Sequence, residues 1–203
     1  MKNPMQILKE DKIYPIIRCS DRQKSVDIAK ALIEGGIRVM EINLENSTIY
    51  EAIEEVSRDA IVCAGGVITS TQATLAFNSG AKIFSSPIFQ INLIKISKNI
   101  GIPFIAGAST PNEAYNAWKA RVPVIKIFPT SDMGGVNYVH DILRQMPFLN
   151  LMPLGGIKLE EVTDYIKLGV IAVGVGRDFY DGYSFSEITK RAKEIKEKLK
   201  DVN

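Results

Sequence analysis

A lysine stands in the middle of an apolar stretch of this chain. Residues 122–129 read Val-Pro-Val-Ile-Lys-Ile-Phe-Pro, and β-branched residues between prolines predict a short buried strand. Because side chains alternate along a strand, Val124, Lys126 and Phe128 share one face. A lysine on a buried face must reach water, a carboxylate or a substrate. Two interpretations stay open: a structural lysine that snorkels or forms an ion pair, and a poorly solvated amine that attacks carbonyl carbons.

A glutamate holds a comparable position in a second predicted strand. Residues 38–44 read Arg-Val-Met-Glu-Ile-Asn-Leu, and the apolar Met40 and Ile42 are expected to face covering helices. Glu41 then faces the opposite side, as Lys126 does. A buried carboxylate and a buried ammonium are both unfavourable without a partner, so we expect them within reach of each other or of shared water. A structural ion pair and a catalytic pair both fit this pattern.

The elements that must position these two residues alternate regularly. Turn residues separate eight runs that predict strands, at 13–18, 38–44, 60–64, 82–85, 103–106, 122–128, 149–154 and 170–175. Helices are predicted at 6–11, 24–34, 48–57, 70–78, 90–99, from 110–113 onward, 136–145, 159–168 and 184–199, with a turn at 177–180. This order predicts an α/β fold, a (β/α)8 TIM barrel with a short N-terminal helix, over a single domain of residues 1–203. A doubly wound sheet also alternates but usually needs fewer units.

Composition excludes several classes of function. The 203 residues are 46% hydrophobic and 24% charged, with a net charge of +2, so we expect neither nucleic acid nor a membrane as a partner. His140 is the single histidine of the sequence. A multi-histidine metal site and a Ser-His-Asp triad are therefore nearly excluded, and we expect no metal. Cys19 and Cys63 form no CxxC motif, and no secretory signal is recognised, which favours a cytoplasmic protein.

Two glycine motifs fall where barrels bind phosphate. Gly155 and Gly156 follow the seventh predicted strand, and Gly176 ends the eighth. Loops after these strands commonly form an anion site from backbone N–H groups. Glycine pairs also end strands for turn reasons alone. Arg177 adds a cation that either contacts phosphate or pairs with a nearby aspartate.

At this point the residues resemble a known family across nearly the whole chain. The motifs are Gly-Gly-Ile-Arg-Val-Met-Glu-Ile at 35–42, Ala-Gly-Gly-Val at 64–67, Ser-Pro at 86–87, Ile-Ala-Gly-Ala-Ser-Thr-Pro at 105–111, Ile-Lys-Ile-Phe-Pro at 125–129, Pro-Leu-Gly-Gly-Ile at 153–157 and Ala-Val-Gly-Val-Gly at 172–176. The chain resembles the 2-keto-3-deoxy-6-phosphogluconate (KDPG) aldolases, the Schiff-base aldolases of the Entner–Doudoroff route, including their 6-phosphogalactonate branch. The Lys-x-Phe-Pro element and the glutamate are the specific part.

The resemblance implies a mechanism without a metal or cofactor. Lys126 would form a Schiff base with C2 of a 2-keto-3-deoxy-6-phospho sugar acid, and Glu41, through a water, would take the C4 hydroxyl proton. Cleavage would give pyruvate and glyceraldehyde 3-phosphate. Arg18 matches the position that holds the substrate carboxylate in part of the family, and Phe128 and Pro87 would line the pyruvate pocket. The resemblance also implies a homotrimer.

Four positions depart from the family pattern. Glu45 stands where many members have an arginine, and Gly66 replaces a threonine in the substrate site. Leu154 replaces a threonine, as an apolar residue does in the galactonate branch, and Arg177 replaces a serine. These changes bear on the substrate more than on the imine chemistry.

Three other functions compete with KDPG cleavage. The same two residues could act on another 2-keto acid such as 4-hydroxy-2-oxoglutarate (KHG). A sugar-phosphate epimerase would need paired acid–base groups, often metal-bound, for which the histidines are lacking. A non-catalytic sugar-phosphate binding barrel would have little use for a buried Lys126 and Glu41, because buried charge pairs often lower stability relative to apolar packing.

Overall fold

The structure, a computed structural model, describes residues 3–202. Eight parallel strands follow the order β7-β6-β5-β4-β3-β2-β1-β8, and a bridge between Leu154 and Gly174 joins the two ends. The strands are β1 Ile13–Ile17, β2 Val39–Asn43, β3 Ile61–Gly65, β4 Ile83–Ser85, β5 Phe104–Ala108, β6 Val124–Ile127, β7 Leu151–Pro153 and β8 Val173–Val175. The predicted α/β fold, a (β/α)8 TIM barrel, is confirmed.

Helices cover the outside of the strands. They are α1 Pro4–Asp11, α2 Arg22–Glu34, α3 Ile49–Val56, α4 Ser70–Asn78, α5 Ile91–Ile100, α6 Pro111–Lys119, α7 Gly135–Gln145, α8 Val162–Ile166 and α9 Phe185–Lys200. Short 3-10 turns lie at Ser131–Met133, Leu159–Glu161 and Arg177–Phe179. The short N-terminal helix is therefore confirmed as α1. No helix within residues 3–202 combines the length and apolarity needed to cross a bilayer.

Two apolar clusters divide the core according to strand alternation. Ile125 and Ile127 pack in the outer cluster with the helices, whereas Val124 and Phe128 belong to the inner cluster. Leu8 of α1 joins the inner cluster and closes one end of the barrel. The predicted alternation of side chains between two faces of the 122–128 strand is thus confirmed. This alternation directs the Lys126 side chain inward.

Side-chain caps fix several helix starts where the sequence places them. Asp21 accepts a hydrogen bond from the Lys24 N–H, and Thr110 with Glu113 forms a capping box at α6. The predicted helix 159–168 instead splits into a 3-10 turn and the short α8. Its first N–H groups are bound by other carboxylates: Glu161 accepts from the Lys158 N–H, and Asp178 from the Leu159 N–H.

Candidate active site

Lys126 lies inside the barrel with a neutral partner. Its side chain is only 3% exposed, and its Nζ donates a hydrogen bond to Ser85 Oγ at 2.7 Å. Gly107 is the register partner of Lys126 on β5, and a Cβ there would lie 2.1 Å from the Pro87 carbonyl oxygen. Glycine at this position therefore lets the chain after β4 approach the barrel beside Lys126.

Glu41 is buried next to a tyrosine. The Tyr14 hydroxyl donates to Glu41 Oε2 at 3.1 Å, and Glu41 is 1% exposed. On the other side, a Cβ at Gly65 would lie 2.2 Å from Glu41 Oε1. Because real side chains do not tolerate so short a contact, Gly65 is needed for the carboxylate to occupy this position.

Lys126 and Glu41 are not directly paired. Within residues 3–202 no ion pair of 4.0 Å or less joins them; instead each binds a hydroxyl group. That they lie within reach of each other or of shared water stays a prediction. The hydroxyl of Ser85 accepts from Lys126, and the hydroxyl of Tyr14 donates to Glu41, so each charged group has a separate neutral partner.

Burial keeps the neighbours of Glu41 protonated. It raises the pKa of Tyr14 well above the usual 10.0, and the charges of Cys63 and Glu41 raise it further. Burial likewise raises the pKa of the Cys63 thiol well above 9.0, with Glu41 adding to the effect. Tyr14 is therefore a hydrogen-bond donor throughout the physiological pH range.

A cleft of about 520 Å³ opens at the carboxyl ends of β1, β6, β7 and β8. It brings together seven predicted residues: Arg18, Phe128, Leu154, Gly155, Gly156, Gly176 and Arg177. The Arg18 guanidinium carbon lies 6.0 Å from the centre of the Phe128 ring, and Phe128 follows Lys126 on the same strand face. The Arg18 N–H donates to the Tyr180 hydroxyl at 2.9 Å, which fixes the end of β1.

Glycine geometry shapes the far end of the cleft. Gly155 and Gly156 have φ angles of 99° and 74°, a region that favours glycine. A Cβ at Gly155 would also lie 2.8 Å from a carbon of the Phe128 ring. Both glycines line the cleft, next to Gly176 and Arg177.

Arg177 is exposed on the rim of this cleft. The suggested pairing with an aspartate is not observed among residues 3–202, since Asp178 instead contacts Arg191 at 3.6 Å and accepts from the Leu159 N–H. Asp178 thus ties the loop after β8 to the loop after β7 and leaves the Arg177 side chain directed to the cleft and solvent.

Two predicted substrate residues do not line the cleft. Gly66 follows β3 with φ of 74°, and a Cβ there would lie 3.3 Å from Asn43 Oδ1. Pro87 is exposed in the connection after β4. Glu45 accepts from Asn43 Nδ2 at 2.7 Å, so the family's arginine position here carries a carboxylate bound to its own strand.

Sequence reasoning missed Ser85 and Tyr14. Strand alternation could have indicated Ser85, because Ile83 faces inward and Phe84 outward in β4. Tyr14 sits in an apolar strand and looks like a core residue; only the register that pairs Ile16 with Glu41 reveals its contact. Among the residues described, no three His, Cys, Asp or Glu side chains form a cluster suited to a metal ion.

Comparison with known proteins agrees with this geometry. A family profile described as "Aldolase: KDPG and KHG aldolase" matches residues 5–192. The chain is 32% identical to a 2-dehydro-3-deoxy-phosphogluconate aldolase of Dickeya dadantii, with 93% of this chain and 92% of that one covered. It is 31% identical to the KHG/KDPG aldolase of Escherichia coli, with 96% and 95% covered.

A solved relative captures a reaction intermediate. The KDPG aldolase of Legionella pneumophila, crystallised with pyruvate as a covalent carbinolamine, superposes with a TM-score of 0.86 at 25% identity, over 96% of this chain and 98% of that one. The match of the family profile spans far more than half of the chain. On this sequence match and the shared fold, the chain belongs to the KDPG and KHG aldolase family.

Proposed function

We propose that this protein is a class I aldolase that cleaves a 2-keto-3-deoxy-6-phospho sugar acid to pyruvate and glyceraldehyde 3-phosphate. One observation carries the proposal: a buried lysine and a buried glutamate face the barrel interior without pairing, and Phe128, which follows Lys126 on the same strand face, lines a cleft that also holds Arg18, Gly155, Gly156 and Arg177. The covalent pyruvate adduct of the Legionella relative supports lysine chemistry in this family.

The reaction begins at Lys126. Its amine adds to the C2 ketone, and loss of water gives an iminium that attracts electrons from C3. Glu41, acting through a water, removes the C4 hydroxyl proton. The C3–C4 bond breaks, the aldehyde leaves and the electron pair forms the pyruvate enamine. Protonation of C3 and hydrolysis of the imine release pyruvate and restore Lys126.

The cleft supplies a position for each part of the substrate. Arg18, beside Phe128, is suited to the C1 carboxylate, since a guanidinium binds carboxylates with two parallel hydrogen bonds. Phe128 would border the pyruvate carbons, and outside the cleft the Pro87 backbone approaches the barrel at Gly107, beside Lys126. Gly155, Gly156, Gly176 and Arg177 would hold the phosphate through N–H groups and one cation.

The C4 hydroxyl is where two sugar epimers differ. Leu154 is buried and has no side-chain donor or acceptor. We therefore propose that the 6-phosphogalactonate-type substrate is accepted at least as well as the gluconate epimer. Gly66 lacks the hydroxyl that a threonine would offer the pyruvate carboxylate, which leaves Arg18 as the principal contact.

The family resemblance also suggests an oligomeric state, a cellular location and a metabolic route for this activity. We propose a homotrimer of single-domain chains, residues 1–203, that works in the cytoplasm without a cofactor. Its products would feed the Entner–Doudoroff route or the related galactonate route.

Steady-state kinetics on three substrates test the assignment. KDPG, its 6-phosphogalactonate epimer and KHG are compared by pyruvate release. We expect kcat/KM to be higher for the phosphorylated substrates than for KHG. If KHG is cleaved as efficiently as both, the sugar-phosphate assignment fails and a KHG aldolase replaces it; if none is cleaved, the binding-barrel alternative gains support.

A further inference from the structure

Ser85 makes the one hydrogen bond that Lys126 Nζ has within residues 3–202. It is the last residue of β4 and is fully buried, and alternation from the outward Phe84 directs its hydroxyl into the barrel. The Nζ–Oγ distance is 2.7 Å. A serine from one strand thus touches the reacting atom of a lysine two strands away.

A hydroxyl differs from a carboxylate as the partner of a catalytic amine. It accepts from an ammonium, and after rotation it donates to the lone pair of a neutral amine. The contact can therefore persist in both protonation states of Lys126, whereas a carboxylate would stabilise only the charged one. Glu41 is bound by Tyr14 and forms no ion pair with Lys126 within residues 3–202, so Ser85 is the described side chain that touches the nitrogen.

We propose that Ser85 is a catalytic residue that relays a proton between Lys126 Nζ and the C2 oxygen of the keto acid. This inference rests on the proposed aldolase function. When the Nζ–C2 bond forms, the π pair of the carbonyl moves to oxygen. Nζ gives a proton to Ser85 Oγ while the hydroxyl proton passes to that oxygen, so a neutral carbinolamine forms and the serine is unchanged. The reverse step returns the free amine and ketone at the end of the cycle.

The relay is geometrically suited to a single hydroxyl. In the carbinolamine, Nζ and the C2 oxygen are bonded to the same carbon, so a group that contacts one lies close to the other. In this proposal Ser85 transfers protons where the C–N bond forms. Glu41 transfers protons at the substrate's C3 and C4 positions.

Exchange of the pyruvate C2 oxygen with oxygen-18 water tests the serine's step apart from the chemistry at C3. Exchange requires the carbinolamine to form, to lose its hydroxyl as water and to form again from labelled water, but it requires no proton transfer at C3. In Ser85→Ala we expect kcat for oxygen exchange to fall by about 10²-fold, the usual worth of a positioned acid–base group, with KM for pyruvate little changed. Ser85→Thr, which keeps the hydroxyl, should recover most of the rate.

Ser25→Ala is the matched control. Ser25 is equally buried but bonds only backbone carbonyls on the outside of the barrel, at the start of α2. Its variant should exchange oxygen at the wild-type rate, while circular dichroism verifies that all three variants are folded.

Three results would overturn the relay. Wild-type exchange in Ser85→Ala would show that another group carries the proton. A raised KM with unchanged kcat would reduce Ser85 to a positioning residue, and failure of a folded Ser85→Thr to recover would do the same. The proposed function fails separately, if wild-type protein forms no borohydride-reducible adduct with pyruvate.

Discussion

At the scale of single residues, Lys126 and Glu41 are held by hydroxyl groups rather than by each other. Buried charges without a countercharge are unfavourable, and apolar residues would pack the same space more stably. Lys126 Nζ donates one hydrogen bond to Ser85, and Glu41 Oε2 accepts one from Tyr14. The remaining donor and acceptor positions of the two charged groups are left for a substrate. Such a local violation of packing rules is typical of an active site.

Glu41→Gln separates proton transfer from imine formation. Glutamine keeps the shape and can still accept from Tyr14, but it is a poor base. We expect exchange of the pyruvate C3 protons with deuterium to slow by about 10²–10⁴-fold, while borohydride trapping of pyruvate continues.

Glu54→Gln, on the exposed face of α3, is the control and should exchange normally. Wild-type deuterium exchange in Glu41→Gln would assign the proton to another group.

The positions of Lys126 and Glu41 could be predicted from the sequence because strand alternation alone orients them. Their partners could not be deduced as easily. Tyr14 looks like an ordinary core residue, and its contact depends on the offset between β1 and β2. The failure of Lys126 and Glu41 to pair directly also depends on three-dimensional packing that no spacing reveals.

At the scale of elements, the loops after β7 and β8 determine what the cleft can bind. Positive φ angles at Gly155 and Gly156 turn the chain tightly against Phe128. The sequence indicated these loops through their glycines. It did not indicate that the predicted helix 159–168 divides into a 3-10 turn and α8, nor that Asp178 of the next loop accepts from the Leu159 N–H.

Arg177→Ser tests the phosphate end of the cleft. A charge-assisted hydrogen bond contributes about 1.5–3 kcal/mol, so KM for a phosphorylated substrate should rise by about 10- to 150-fold. KM for KHG, which has no phosphate, should change little. Steady-state kinetics on both substrates measure the difference.

Arg58→Ser provides the control, since the Arg58 side chain is 70% exposed and pairs with Glu54 at the end of α3. An equal effect of Arg177→Ser on both substrates would remove Arg177 from the phosphate site.

At the scale of the whole molecule, the barrel buries two weak acids that resist ionisation. The pKa values of Tyr14 and Cys63 are raised, chiefly by burial, whereas in the unfolded chain they return to about 10.0 and 9.0. Folding therefore favours the protonated forms. Their contribution to the free energy of unfolding is fully present below about pH 9 and declines as pH rises through the unfolded values.

Urea unfolding from about pH 8 to about pH 11 measures this decline. Tyr14→Phe should flatten the pH dependence, because the variant has one buried acid fewer. Tyr115→Phe, at an exposed tyrosine on α6, should leave the slope unchanged. Equal slopes in wild type and Tyr14→Phe would contradict the assignment of the alkaline loss to the barrel interior.

The barrel itself could be predicted almost entirely, since eight alternations of strand and helix permit few other folds. The ends of strands were predicted too long in most cases. Strand β8, for instance, begins at Val173 rather than at 170, because strand ends depend on which backbone groups the neighbouring strand can pair. Closure between β7 and β8 involves a single bridge that no local pattern encodes.

The central claim is that Lys126 forms the covalent bond with the substrate. Pyruvate and borohydride are added to the protein, and peptide mass spectrometry locates the reduced adduct. We expect modification at Lys126 alone, and none in Lys126→Arg, whose guanidinium stays protonated and cannot form an imine. An adduct at a different lysine, or cleavage activity retained in folded Lys126→Arg, would contradict it.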